Sequence, residues 1–353
     1  MKYKNSLLVL SSISILFILL NFILFFSSKY IKQKTTQKSI LTKLPIEMTY
    51  LYADTYDELK DISIILGDSN AFGLGDSFID DDYNYSIGHN LYNLTNKKAN
   101  FINLGFPGGG SQVIYKNYLN FKKKIKIKPK KIIYLFYEGN DLENNIIYNN
   151  NYTFNNKVKA KLRYYFPLFT FTKNQIVSLK NEFQKKFYNS KKNNIIGKRK
   201  YLNQINLVDK KKILRRTLQS PPIELNQEDL KISLNILFKT LTNLKKDTED
   251  ITVIYLPAPS SALDLKNPVY FEKYFKNSTR EFATVEELEK LSEYIKLKIE
   301  NFSLEKDIYF LDMTSILKNH SFKLEIYGPK DYSHFNKNGY LIISEEIFNE
   351  VFN

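Results

Sequence analysis

The chain has 353 residues, 43% of them hydrophobic, which supplies a sizeable core and excludes a disordered chain. It contains no cysteine, so disulfides and thiolate zinc sites are excluded, and its three histidines, His89, His320 and His334, include no His-x-x-x-His pair, so neither a metal nor another cofactor is expected. The net charge of +15 brings polyanions to mind, but no nucleic-acid recognition motif accompanies it, and charge alone gives only non-specific attraction.

Ser6 to Phe26 is a run of 21 residues without a charge. As a helix it is about 31 Å long, enough for a hydrocarbon core of roughly 30 Å. The run is too long for a cleaved signal peptide and ends in Phe25-Phe26-Ser27-Ser28-Lys29 rather than a small-x-small site. Residues 1–28 are therefore expected to be a single-pass membrane anchor. Lys2 and Lys4 precede it, whereas Lys29, Lys32, Lys34, Lys38 and Lys43 follow, a count that, taken literally, keeps the remainder in the cytoplasm. Residues 29–58 are polar and aperiodic and predict a stalk leading to a catalytic domain over 59–353.

From Asp61 onward, short apolar runs alternate with helical patterns. Ile62–Leu66, Phe101–Leu104, Ile132–Phe136, Ile251–Leu256 and Ile308–Leu311 read as strands buried on both faces. Leu230–Leu244 and Val285–Phe302 carry apolar residues at three- and four-residue spacing, and a closing helix is expected from about Lys337 to Phe352. This βαβ alternation predicts an α/β fold, a three-layer α/β/α sandwich around a parallel sheet. Residues 142–225 interrupt it with about 80 residues, far beyond the usual connection of roughly 2 to 6, and are expected to form a lid or substrate subdomain. Within this stretch, residues 185–216 hold twelve Lys or Arg against one acid, Asp209. That charge fits a solvated face or a surface for an anionic glycan or lipid head group.

In open parallel sheets the ligand crevice lies beyond the carboxyl ends of the strands, and the unusual residues fall there. Gly67-Asp68-Ser69-Asn70 leaves the first strand, Asn103-Leu104-Gly105-Phe106-Pro107-Gly108-Gly109-Gly110 the second, and Tyr137-Glu138-Gly139-Asn140-Asp141 the third. After the last strand comes Asp331-Tyr332-Ser333-His334. A serine on a turn leaving a buried strand, with a histidine and an acid far downstream, is the equipment of acyl transfer. Asp331 and His334 are three residues apart, close enough for the carboxylate to hold Nδ1 of its own histidine. A neutral imidazole, with an ordinary pKa of about 6.5, then accepts the serine proton at physiological pH.

These four blocks, in this order, resemble the signature blocks of the SGNH or GDSL hydrolase superfamily over roughly residues 61–141 and 226–352. The resemblance implies flavodoxin-like strand order, Ser69 as nucleophile, His334 as base, Asp331 as its orienting acid, and Gly105 and Asn140 as oxyanion-hole donors. It implies an ester hydrolase acting on O-acyl groups of a glycan, lipid or other cell-envelope substrate, with the catalytic domain outside the cytoplasm. An O-acyltransferase using the same acyl-enzyme and an inactive anchored binding module are the alternatives. Oligomeric state is not legible. One departure from the family pattern is Glu138, which stands where a glycine is usual and puts an acid beside the site, able to tune a pKa or bind an acceptor. The blander reading of Gly108-Gly109-Gly110 is a tight turn, since no Gly-Lys-Ser/Thr follows to cradle phosphate. Asp331 could equally cap the closing helix.

Overall fold

The computed structural model describes residues 50–52, 62–75, 85–96, 99–125, 128–151, 203–207, 210–214, 217–248, 250–275, 278–321, 326–328 and 331–353, with backbone alone at 50–52, 124–125, 150–151, 203–207 and 210–214. The expected anchor at 6–26, most of the stalk and residues 152–202 of the insertion lie outside the described residues. Among the described residues no helix is long and apolar enough to cross a membrane. Residues 45–149 with 200–353 form one of two units; the other, 1–44 with 150–199, falls outside the description except for the backbone of 150 and 151.

The first half contains β1 (Tyr50–Tyr52), β2 (Ser63–Gly67), α1 (Ser69–Phe72), α2 (Ile87–Leu94), β3 (Phe101–Asn103), α3 (Ser111–Ile125), β4 (Lys131–Tyr137) and α4 (Asp141–Asn151). A hairpin, β5 (Asn203–Leu207) and β6 (Lys210–Leu214), precedes α5 (Gln227–Lys245), β7 (Asp250–Leu256) and α6 (Pro259–Ala262). The chain then runs through β8 (Val269–Tyr270), β9 (Phe282–Ala283), α7 (Val285–Glu305), β10 (Tyr309–Asp312), α8 (Thr314–Ser321) and α9 (Lys337–Ile347), which ends in a π-helical turn, Phe348–Phe352.

All five apolar runs are strands of one sheet, ordered β1-β3-β2-β4-β7-β10. The last five are parallel, in the flavodoxin-like order. β1 pairs antiparallel with β3, so three residues inside the expected stalk belong to the sheet instead. Side chains on the central strand alternate between two cores. Ile133, Leu135 and Tyr137 join Ile65, Ile254 and Leu256 on one face, with Leu91 of α2, Leu317 of α8 and Ile343 of α9. Ile132, Tyr134 and Phe136 join Ile64, Leu66 and Val253 on the other, with Ile114 of α3, Leu237 and Leu241 of α5 and Ile295 of α7. Each such side chain contributes roughly 1.5–3 kcal/mol by burial, so both faces must be covered, which is what makes three layers.

The insertion is narrower than its sequence bounds. Leu142 and Ile146 of α4 are buried, as is Leu218, which bridges to Phe271. Both ends of 142–225 are thus core, because their apolar side chains close the sheet's flanks.

Candidate active site

Ser69 is the first residue of α1, a single helical turn that begins where β2 ends. Asp68 caps it, its Oδ1 accepting from Asn70 N–H at 2.8 Å. Asn103, the last residue of β3, holds α1 in place: it donates from Nδ2 to Ala71 O at 2.7 Å and accepts from Gly105 N–H on Oδ1 at 2.9 Å. A Cβ on Gly105 would lie 2.2 Å from Phe72 N, so only glycine lets the β3 turn meet α1.

His334 arrives from the far end of the chain. The following residue, Phe335, is fully buried, stacks on Tyr327 at 4.6 Å and bridges to it, while Asn336 caps α9 by accepting from Asn338 and Gly339 N–H. The helix cap is therefore Asn336 and not Asp331. Asp331 Oδ1 accepts from Ser333 N–H at 2.8 Å, and its Oδ2 lies 2.6 Å from His334 Nδ1. His334 Nε2 lies 2.9 Å from Ser69 Oγ. Burial alone would raise the Asp331 carboxyl, but the hydrogen bond and charge of His334 and the N–H groups of Ser333 and His334 outweigh it and hold it below the usual range. Asp331 is thus ionised wherever the imidazole is useful as a base.

Ser69, His334 and Asp331 therefore come together in one relay. Asn140, at the turn after β4, is buried, and its Oδ1 has no hydrogen-bond partner among the described residues. Gly105 packs closely against α1, and its N–H donates to Asn103 Oδ1. Three residues further on, Gly108 has φ +68°, and Gly109 N–H closes the turn by donating to Phe106 O at 3.0 Å. The glycine run is a tight turn, as its blander reading has it. The first amide of α3, Ser111 N–H, is taken by Asn145 Oδ1 at 2.6 Å, leaving no empty phosphate cradle.

Glu138 points away from any acceptor. It is fully buried, with Oε1 accepting from Tyr255 OH and Oε2 from Ala258 N–H, both at 2.8 Å, and so ties the end of β4 to the end of β7. Burial pushes its carboxyl up, against hydrogen bonds from Ser292, Ala258, Tyr255 and Ser261. A raised folded-state pKa means that its contribution to stability is full below the ordinary carboxylate range and is lost as pH rises through the folded value. Glu138→Gln keeps both bonds, with Oε1 on Ala258 N–H and Nε2 donating to the Tyr255 oxygen, and removes that penalty. It is expected to melt at or above the parent temperature at pH 8, whereas Glu138→Ala takes the partner from buried Ala258 N–H, at about 1–3 kcal/mol, and leaves Tyr255 OH only the 3.4 Å contact to Ser292 O. Thermal melts of both variants at pH 5 and pH 8 check this.

Two features had no sequence signal. Tyr137 OH lies 2.6 Å from Gln219 Oε1 and 2.9 Å from Ser333 O, supporting the histidine loop from beneath. Ser69 Oγ also lies 2.9 Å from Asp68 Oδ2. His89 and His320 sit on α2 and α8. Among the described residues no group of three or more His, Asp or Glu side chains could hold a metal ion.

No protein-family model matches the chain, and no curated protein does. Solved structures similar to it include a catalytic mutant of an acetylxylan esterase from Geobacillus stearothermophilus, at 11% identity and a TM-score of 0.41 over 82% of this chain and 93% of that one. A carbohydrate acetylesterase family member from Sinorhizobium meliloti is 10% identical, with a TM-score of 0.42 over 83% and 97% of the two chains. An alpha/beta hydrolase from the metagenome of Lake Arreo is 9% identical, with a TM-score of 0.38 over 82% and 94%.

Proposed function

We infer that this chain is a serine ester hydrolase of the SGNH or GDSL type. The single observation that carries the inference is the relay from Asp331 through His334 to Ser69, with links of 2.6 and 2.9 Å. In this reading Ser69 Oγ attacks the acyl carbon as its proton passes to His334 Nε2, while Asp331 holds Nδ1–H and balances the imidazolium. His334 then protonates the departing alcohol, and a water molecule activated by the same imidazole releases the acid. The oxyanion donors in this reading are Ser69 N–H and the amide side chain of Asn140, each contributing about 3–4 kcal/mol to the transition state.

The substrate class proposed is an O-acylated glycan or lipid of the cell envelope. The enzyme would be held at the membrane by residues 6–26 with its catalytic domain outside the cytoplasm. An intact relay argues against a decayed binding module, whose catalytic spacing nothing would maintain. An O-acyltransferase differs only in the acceptor, and release of free acid in the presence of glycan separates the two.

The test is covalent. A fluorescent alkyl fluorophosphonate, an acyl mimic that loses fluoride as Ser69 Oγ bonds to phosphorus, is expected to form one adduct per chain, mapped by peptide mass to Ser69 and abolished in His334→Ala. An adduct elsewhere, or ester turnover by folded protein with no adduct, would overturn the reading.

A further inference from the structure

The Ser69 hydroxyl has one proton and two acceptors, His334 Nε2 and Asp68 Oδ2, each 2.9 Å from Oγ. Only the first of these geometries starts the reaction. Asp68 is fully buried, and its other oxygen is held by Asn70 N–H, so its carboxyl cannot turn away. If Asp68 is ionised, a buried carboxylate is the stronger acceptor and draws the hydroxyl proton away from the base. If Asp68 is protonated, Oδ2 has a proton to give and, among the described residues, Ser69 Oγ is the acceptor it meets. It donates to Oγ, and the serine proton can then point only at Nε2.

We propose that Asp68 is a positioning residue whose protonated form, by donating to Ser69 Oγ, turns the nucleophile's own proton onto His334. The relay is then one continuous chain, from Asp68 through Ser69 and His334 to Asp331, with every proton pointing the same way. Deprotonating Asp68 breaks it at its first link and sets a negative charge beside an oxygen that must itself become electron-rich.

The surroundings favour the neutral form. Burial pushes the Asp68 carboxyl above the usual range, against the Asn70 N–H, the charge of His334 and the bonds from Ser69. Asp141, at the start of α4, is itself pushed well up by burial and by the charge of Asp68, and brings no cation to it. The remaining titratable groups turned toward it are tyrosines, namely Tyr134 and Tyr137 of β4, Tyr274, and Tyr340 of α9, all held neutral by burial. Within this set, His334 is the sole cation able to balance an ionised Asp68.

The inference rests on the esterase reading and is tested with the full-length protein and a 4-nitrophenyl acetate assay of kcat and KM against pH, for the parent, Asp68→Asn and Asp68→Ala. Asparagine reproduces the protonated acid at every pH, with Oδ1 on Asn70 N–H and Nδ2 donating to Oγ. The parent kcat is expected to fall on the alkaline side as Asp68 ionises, and Asp68→Asn to lose that descending limb while KM stays within about twofold. Asp68→Ala should lose about tenfold in kcat on the plateau, the worth of one neutral hydrogen bond. Asp68→Asn retaining the parent's alkaline limb, or falling as far as Asp68→Ala, would sink the proposal. Should Asp68→Ala melt early for want of a helix cap, the asparagine profile decides alone. Phosphonate labelling of Ser69 in the same samples separates the two levels: an adduct with an unchanged alkaline limb removes only the role of Asp68, and no adduct removes the esterase.

Discussion

Ser69→Ala is expected to lower kcat for an acetate ester by about 10^4- to 10^6-fold, with KM nearly unchanged. The size follows from what alanine removes. It deletes the attacking oxygen and leaves His334 with no proton to collect, so the base and its orienting acid become idle together. What survives is the backbone N–H of residue 69 with the other proposed oxyanion donor, and these alone hold a residual of about 10^3-fold over water. The substitution is also structurally mild. The Ser69 N–H and C=O remain in α1, and the carbonyl keeps its bonds from Gly73 and Leu74 N–H. A variant that folds, melts near the parent temperature and still turns over ester at the parent rate would disprove the nucleophile assignment.

Asp331→Asn should cost nearly as much, about 10^4-fold in kcat, although it changes one atom at a residue that never touches substrate. The reason lies in counting acceptors. Asp331 uses both oxygens, one for Ser333 N–H and the other for His334 Nδ1. Asparagine has a single carbonyl oxygen. If that oxygen stays on Ser333, the amide NH2 faces Nδ1 and drives the ring to the tautomer with its proton on Nε2, where a base must be empty. If it turns to His334 instead, Ser333 N–H is left facing an NH2 group and the loop is destabilised. Asp331→Glu keeps two acceptors on a longer arm and should recover part of the loss. Steady-state kinetics of both variants, with imidazole proton shifts read by NMR, check the sign and the cause. Equal activity of the parent and Asp331→Asn would remove Asp331 from the relay.

The parts of this fold visible in the sequence are those set by burial on two faces. β2, β4 and β7 are continuous apolar runs because helices cover both sides of them. β1 has no such signature, since three residues at a sheet edge carry no period, and only the pairing with β3 reveals it. The relay residues were legible because serine, aspartate and histidine are among the few residue types suited to the chemistry proposed for Ser69, Asp331 and His334. The bond that Gly105 N–H makes was not legible by motif, because it is a fact of the Asn103 side chain in three dimensions. Asp68 went unnoticed for the opposite reason, because a neighbour in sequence is easily taken as filler until its oxygen is seen on the nucleophile.

The edge strand has a practical consequence for anyone who would cut the catalytic domain free of its expected anchor. Trimming to Asp61, where the apolar pattern starts, would strip Tyr50–Tyr52 from β3 and leave its outer row of N–H and C=O groups bare. A bare edge of that kind invites a second molecule to add its own strand. A soluble form should therefore begin upstream of Tyr50, so that each molecule carries its own blocking strand and does not borrow one from a neighbour.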